Sequence, residues 1–197
     1  MVFALQKETE IIVKDLLGPD FIELNAQKLQ VEESFSEERV RICCHLTTQD
    51  QQKLEIQGEG VGLIDALMNA LMAKLTLEYP SLKQIKLSDF SIKTDLSTQK
   101  LKTGSDSLAI VELTVENMDR KRFVFKHQSR SITRSSACVV LSACSYFANS
   151  ERAFIKARQA LKRAQKDKRP DSVERCTHLL TQLVENASYQ DLIIEAA

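Results

Sequence analysis

The segment RVRICCHLTTQDQQKLEIQGEGVGLIDALMNAL, residues 39–71, contains the patterns that decide the fold. Two short runs in it alternate apolar with polar residues, which is typical of half-buried strands; their apolar members are Val40, Ile42, Cys44 and Leu46, then Leu54 and Ile56. Because only the polar stretch 47–52 separates the runs, they are predicted to form an antiparallel hairpin. Glycines then lead into a helical stripe that begins at Leu63 and ends near Tyr79-Pro80.

The chain before this segment predicts a helix and an extended stretch. Residues Val2 to Leu17 place apolar side chains at helical spacings, and Gly18-Pro19 is expected to stop this N-terminal helix. From Phe21 to Val31 the apolar residues are spaced more like those of a strand.

After Pro80 the same order of elements is predicted again. Leu82 to Lys93 is strand-like, Asp95 to Ser107 is a polar loop, and a second hairpin turns at 117–120. The strands of that hairpin are expected over Leu108 to Val115 and Arg122 to His127, and a helix follows from about Ser131.

We therefore expect an α+β fold made of two pseudo-symmetric βββα units, about 21–80 and 81–149. Each unit alone would leave one sheet face and one helix stripe uncovered. Packing the units side by side, with the helices on one face of the antiparallel sheets, solves this problem for both.

The composition shifts toward Ala, Lys and Arg beyond Asn149. The stretch 151–169 has eight basic residues against Glu151 and Asp167, and its apolar spacing predicts a helix. Pro170-Asp171-Ser172 is predicted to break this helix before a last one, Val173 to Val184. The expected organisation is an N-terminal helix at 1–20, a domain of the two βββα units at 21–149, and a C-terminal helical extension at 150–197.

The overall charge and apolar content restrict the class of protein. The 197 residues contain 27 Lys and Arg and 27 Asp and Glu, so a nucleic-acid footprint over the whole surface is not expected. There is no apolar run of about 20 residues and no signal-peptide pattern, which indicates a cytoplasmic protein. The five cysteines have no framework spacing, as expected for reduced thiols.

The sequence contains no recognisable catalytic motif, so no catalytic residue and no cofactor are expected. Cys43-Cys44-His45 could suggest a metal site. Successive residues of a strand point to opposite faces, however, so at most Cys43 and His45 could share an ion. No metal site is predicted there.

The strongest local signal is the run Gly58-Glu59-Gly60-Val61-Gly62 ahead of the helix. Such a run lets the backbone approach a ligand and directs N–H groups at an anion, or it serves only a tight turn into the helix. A dinucleotide site would need a parallel βαβ unit, whereas this strand belongs to a hairpin. Asp65 is equally explained by favourable electrostatics at a helix start.

These residues, taken together, resemble the C-terminal regulatory domain of alpha-isopropylmalate synthases, which senses leucine and dimerises. The resemblance covers about residues 23–149. It is carried by the following motifs and positions: Gly58, Gly60 and Gly62 with Ile64-Asp65-Ala66, then Ser88-Asp89-Phe90-Ser91, Gly104-Ser105-Asp106-Ser107, Ala109 to Leu113, and Ile132, Ser136, Val140, Ser142 and Ala143. The chain departs from the family pattern at Leu63, where the family has proline, and at 126–130, where the family is glycine-rich.

The resemblance implies a fold of two βββα units, a homodimer with helices and sheet edges of the two copies in contact, and an effector pocket for leucine or a related small carboxylate. The ligand-binding residues that it implies are Gly58, Gly60, Gly62 and Asp65 on one side and Phe90, Thr94, Ser107 and Ala109 on the other.

The family's large catalytic barrel does not fit in this chain, so we expect a stand-alone, non-enzymatic regulatory domain with a synthase as its partner enzyme. The alternative function is a module that binds nucleic acid or an acidic protein surface through the basic helix 151–169.

Overall fold

The computed structural model describes residues 2–95 and 107–184. Four helices and six strands lie in this part of the chain. They are α1 (Val2–Leu17), β1 (Asn25–Ser34), β2 (Arg39–Thr47), β3 (Lys53–Gly60), α2 (Leu63–Leu75), β4 (Lys86–Asp95), β5 (Leu108–Glu116), β6 (Arg122–Ser129), α3 (Ile132–Lys166) and α4 (Pro170–Val184). Short 3-10 turns follow α1 and precede β4. The predicted Gly104-Ser105-Asp106 motif lies outside the described residues.

The strands form two antiparallel sheets, with the orders β1-β2-β3 and β4-β5-β6. Each sheet is followed by a helix, so the predicted α+β fold of two βββα units is confirmed. The equivalent strands of the two sheets have ten, nine and eight residues. Both first strands also carry a bulge at their third residue, Gln27 in β1 and Ser88 in β4. The repeat therefore extends to backbone irregularities that the sequence pattern did not reveal.

Several element boundaries differ from the predicted ones in the first half of the chain. β1 begins at Asn25 rather than near Phe21, and α2 ends at Leu75 rather than near Tyr79. Leu82 belongs to a 3-10 turn that begins at Pro80, so β4 starts only at Lys86. Its predicted start was wrong because buried apolar residues occur in such turns as well as in strands.

The second half of the chain contains one long helix where two were predicted. α3 has 35 residues and continues through residue 149 into the basic stretch. Its turns on both sides of that residue pack on the core, with Phe147 and Phe154 both buried. The predicted break before a last helix is present, but it lies a few residues earlier: α3 ends at Lys166, Lys168 has a φ of 53°, and Pro170 rather than Val173 is the first residue of α4.

The core is continuous across both units. α2 packs on β3 and β2, and α3 packs on β6 and β5, while α1 lies against α3 and β6. Phe123 of β6 meets Phe147 of α3 edge-on, with ring centroids 5.0 Å apart. No helix in the described ranges is long and apolar enough to cross a membrane.

Two side-chain amides link distant parts of the chain, because each makes two hydrogen bonds to the backbone of a single residue. Gln6 of α1 donates to the carbonyl of Val124 and accepts its N–H, at 3.2 and 3.0 Å. Asn149 of α3 does the same with Ile22, at 2.7 and 2.8 Å. β6 is the last strand of its sheet, so Gln6 satisfies backbone groups at an open sheet edge.

Candidate functional site

Gly58 and Gly60 lie inside β3, facing the start of α2, rather than in a turn. A Cβ on Gly58 would lie 2.6 Å from the carbonyl oxygen of Ala66 and 2.7 Å from the Cβ of Ala70. A Cβ on Gly60 would lie 2.5 Å from the backbone nitrogen of Ala66. The two glycines are therefore explained by the close approach of α2 to β3, which occupies the space over their Cα atoms.

Gly62 and Asp65 hold the start of α2. Gly62 is the N-cap residue in extended conformation, and a Cβ there would meet no atom within 4 Å. The Oδ2 atom of Asp65 accepts the N–H of Val61 at 3.1 Å. This carboxylate therefore satisfies a backbone donor ahead of the helix and carries negative charge in its first turn.

The equivalent corner of the second unit has side chains where the first has glycines. His127 and Ser129 of β6 take the places of Gly58 and Gly60, and both contact Ser135 of α3, at 3.0 and 2.8 Å between side-chain atoms. Burial lowers the pKa of His127, and the positive charge of Arg134 lowers it further. The departure from the family pattern at 126–130 therefore replaces close backbone packing with a hydrogen-bonded cluster.

The predicted site residues of the second unit lie in or next to the β4-β5-β6 sheet. Thr94 is exposed and lies directly opposite the buried Ala109, and Phe90 is half-buried opposite Leu113. Ser107 is buried just before β5. These four predicted site residues therefore belong to the second unit, whereas the three glycines and Asp65 belong to the first.

Each sheet leaves the inner face of its first strand only partly covered. Val31 of β1 lies opposite buried Ile42, and Ile92 of β4 lies opposite buried Val111, so both point to the core side. They are nevertheless 42% and 43% exposed. The reason is that α2 covers β3 and β2, and α3 covers mainly β6 and β5.

Two grooves lie where each helix faces the first strand of the other unit. The α2–β4 groove has a volume of about 520 Å³. Its lining consists of Asp65, Met68, Asn69, Met72, Ala73, Thr76, Leu82, Lys83, Ile85 and Leu87. Of the predicted site residues, Asp65 lines this groove. Leu87 of β4 lines it as well. Lys83 and the methionines were not predicted, because only the packing of the units brings the 3-10 turn beside α2.

The α3–β1 groove is larger, about 1230 Å³, and α1 contributes to its wall. Five cationic residues line it against Glu10 and Glu23; they are Lys7, Lys14, Lys28, Lys126 and Arg134. Arg134 is the third residue of α3, as Asp65 is the third residue of α2. The two grooves therefore occupy equivalent positions but carry opposite charge at the helix start.

The basic part of α3 is partly engaged in contacts within the chain. Arg152 donates to the carbonyl of Asp20, and the Nζ atom of Lys156 lies 3.5 Å from the Asp20 carboxylate. Glu151 is buried and accepts the N–H of Ser81 at 2.9 Å. This stretch of α3 thus holds the segments that precede β1 and β4.

A family model described as "LeuA allosteric (dimerisation) domain" matches residues 5–148. The match begins within α1, so it includes most of a helix that the sequence resemblance, from residue 23, left out. A search of curated proteins found no match.

Proposed function

The chain belongs to the family of LeuA allosteric (dimerisation) domains, and from this premise we propose that it pairs with a second copy of itself and responds to leucine or a related amino acid. The family has a regulatory and dimerising role. The homodimer, the effector and the regulated enzyme are our proposals for this chain.

The observation that carries the proposal is the uncovered inner face of β1 and β4. Both strands present apolar side chains on the core side that no helix within residues 2–95 and 107–184 covers fully, with Val31 and Ile92 more than two-fifths exposed. Removing such side chains from water is favourable by about 25 cal/mol for each Å² of apolar surface, before the entropic costs of association are subtracted. A second copy can cover this face, and its own face is covered in return, because the two partners of a two-fold dimer use the same surface.

We place the effector in the α2–β4 groove, which is supported by its lining. A small amino acid has an ammonium, a carboxylate and an apolar side chain, and the groove offers Asp65, Lys83 and the Met68–Met72 wall as matching partners. Its volume lies within the range of about 300–1,000 Å³ that is usual for small-molecule sites. Phe90, Thr94 and Ala109 lie further along the same sheet from Leu87 and are proposed to extend the site.

We propose that the regulated activity belongs to a synthase of the LeuA type, and that this chain contributes regulation rather than catalysis. Glycine residues in β3 then have an indirect role. They let α2 lie close to β3, and this fixes Asp65 at the mouth of the groove.

The effector is tested by thermal unfolding of the full chain with leucine, isoleucine or valine. A ligand at a hundredfold excess over its Kd stabilises the fold by about 2.7 kcal/mol, so the melting temperature rises. Asp65→Asn removes the charge but keeps an acceptor for Val61, and we expect it to abolish most of the rise. Arg134→Gln, the equivalent position of the other groove, is the control.

Two results contradict this assignment. If none of the three amino acids raises the melting temperature, the effector proposal is wrong. If Arg134→Gln abolishes the rise and Asp65→Asn preserves it, the effector lies in the α3–β1 groove instead.

A further inference from the structure

Cys43, His45 and Glu55 meet on the outer face of the β1-β2-β3 sheet. Cys43 and His45 are two residues apart on β2 and so share a face, and Glu55 of β3 is the direct cross-strand partner of His45. The neighbours that point the other way, Cys44 and Ile56, are buried in the core. The three side chains therefore lie together on the side of the sheet that faces away from α2.

The distances between these side chains suit a small cation. One ligand atom from each residue, a sulfur, a nitrogen and a carboxylate oxygen, lies within 4.8 Å of the other two. His45 Nδ1 and Glu55 Oε2 are 3.6 Å apart. Ligands of a tetrahedral zinc ion, with bonds of about 2.0–2.3 Å, are separated by about 3.3–3.8 Å. The imidazole and the carboxylate already have this spacing, and the Cys43 sulfur lies within 4.8 Å of both ligand atoms.

The surroundings hold the carboxylate in place. Gln57 donates from Nε2 to the Oε1 atom of Glu55 at 2.9 Å, which leaves Oε2 directed at His45. Polar partners of this kind orient the ligands of metal sites. The side chains of His45 and Glu55 are 44% and 50% exposed, so an ion reaches them from solvent. Lys28 lies opposite His45 on β1, and its positive charge acts on the thiol of Cys43.

We propose that Cys43, His45 and Glu55 form a binding site for a divalent transition-metal ion of the zinc type, with water as the fourth ligand. The mixed set of sulfur, nitrogen and oxygen donors is one that Zn²⁺ accepts and that Mg²⁺ and Ca²⁺ do not favour. Binding releases the thiol proton of Cys43 to solvent, since the thiolate is the ligand. The bound ion joins β2 to β3 and so stabilises this sheet.

The test uses the full chain after treatment with a chelator. Co²⁺ is added, and the near-ultraviolet absorption of a thiolate–cobalt bond is followed; Zn²⁺ is then added to displace it. We expect saturation at one ion per chain, loss of the absorption in Cys43→Ser, and a Zn²⁺ affinity lowered at least about tenfold in that variant. Cys138→Ser, which removes another half-buried thiol, is the matched control and is expected to bind like the wild type.

The proposal is overturned if binding does not saturate at one ion per chain, or if Cys43→Ser and wild type bind Zn²⁺ equally. Glu55→Gln separates metal binding from folding. It keeps an oxygen for Gln57, so its melting temperature without metal is expected to match that of the wild type, as for most exposed positions. Zn²⁺ is expected to raise the melting temperature of the wild type clearly more than that of this variant.

Discussion

At the scale of single residues, the paired glycines of β3 show how sequence composition serves packing. Gly58 faces the backbone of α2, which cannot move aside as a flexible side chain can. Gly62, four residues later, has open space around it. The same residue type is therefore essential at one position and replaceable at the other.

Gly58→Ala is expected to destabilise the chain by about 1–3 kcal/mol, because the new methyl group forces α2 away from β3. Gly62→Ala is expected to change stability by less than about 1 kcal/mol, since only the N-cap preference is altered. Both are measured by urea denaturation of the full chain. Equal losses in the two variants would show that the close approach of α2 does not explain Gly58.

A buried carboxylate makes stability depend on pH. Glu151 is 1% exposed, and burial raises its pKa above the ordinary value of 4.5, although the hydrogen bond that it accepts from the Ser81 N–H opposes the rise. Between pH 4.5 and the raised pKa, the folded chain holds a proton that the unfolded chain has released. The stability that this group contributes is therefore complete below pH 4.5 and is lost as pH rises through the folded-state pKa.

Glu151→Gln is expected to remove this dependence while keeping an acceptor for the Ser81 N–H. The free energy of unfolding of the wild type should fall relative to that of the variant as the pH is raised through this window. Urea denaturation at a series of pH values measures the difference. Parallel curves for the two proteins would contradict the assignment.

At the scale of secondary-structure elements, the alternating apolar residues predicted the strands well. Val40 to Leu46 and Phe123 with Phe125 each alternate in a strand whose inner face is buried, so periodicity and burial agree. Prediction failed where local pattern and tertiary packing disagree. Leu82 is buried in a 3-10 turn, and α3 continues past Asn149 because Phe154 and Ala157 still have a core to pack on.

The candidate sites were harder to predict than the strands. Asp65 was identified through the family resemblance, but Lys83 reaches the same groove only through the packing of the second unit on the first. Glu55 was missed as a partner of His45, although the short 48–52 loop of the hairpin fixes their register. Counting residues in both directions from that loop places Glu55 opposite His45. The division into 1–20, 21–149 and 150–197 stays a prediction.

The amide of Gln6 links α1 to the backbone of β6. Gln6→Glu keeps the acceptor for the Val124 N–H but cannot donate to its carbonyl, and it places a charge at a site that is 8% exposed. We expect a loss of about 1–3 kcal/mol. The matched control is Gln27→Glu, which makes the same change at an exposed position and is expected to cost less than about 0.5 kcal/mol.

Thermal unfolding distinguishes the two variants. For a chain of this size, each kcal/mol corresponds to about 2–4 °C in the melting temperature. Equal melting temperatures for Gln6→Glu and Gln27→Glu would show that the amide of Gln6 does not fasten α1 to the sheet edge.

At the scale of the whole molecule, two nearly equal units share one core and leave equivalent surfaces open. The first strand of each sheet is the part that the four described helices do not fully cover. In the proposed dimer the contact would carry the ligand signal, because each groove is lined by residues of a first strand as well as by a helix of the other unit.

Substituting charged residues for the exposed apolar residues of these two faces is expected to weaken self-association without unfolding the chain. Val31→Lys together with Ile92→Lys places two charges on surfaces that a second copy would have to bury. Leu77→Lys is the matched control, since Leu77 is an exposed apolar residue on neither strand. We expect the double variant to be monomeric and the control to associate like the wild type. Dimers in both would exclude these faces as the contact, and monomers in both would show that the loss is not specific to these faces.

The mass of the full chain in solution, measured by sedimentation equilibrium over a range of concentrations, tests the proposed self-association most directly. Each chain has a mass of 22.3 kDa. The account predicts a species of twice this mass at micromolar concentrations, as is usual for a specific dimer. A single-chain mass at every concentration would contradict it.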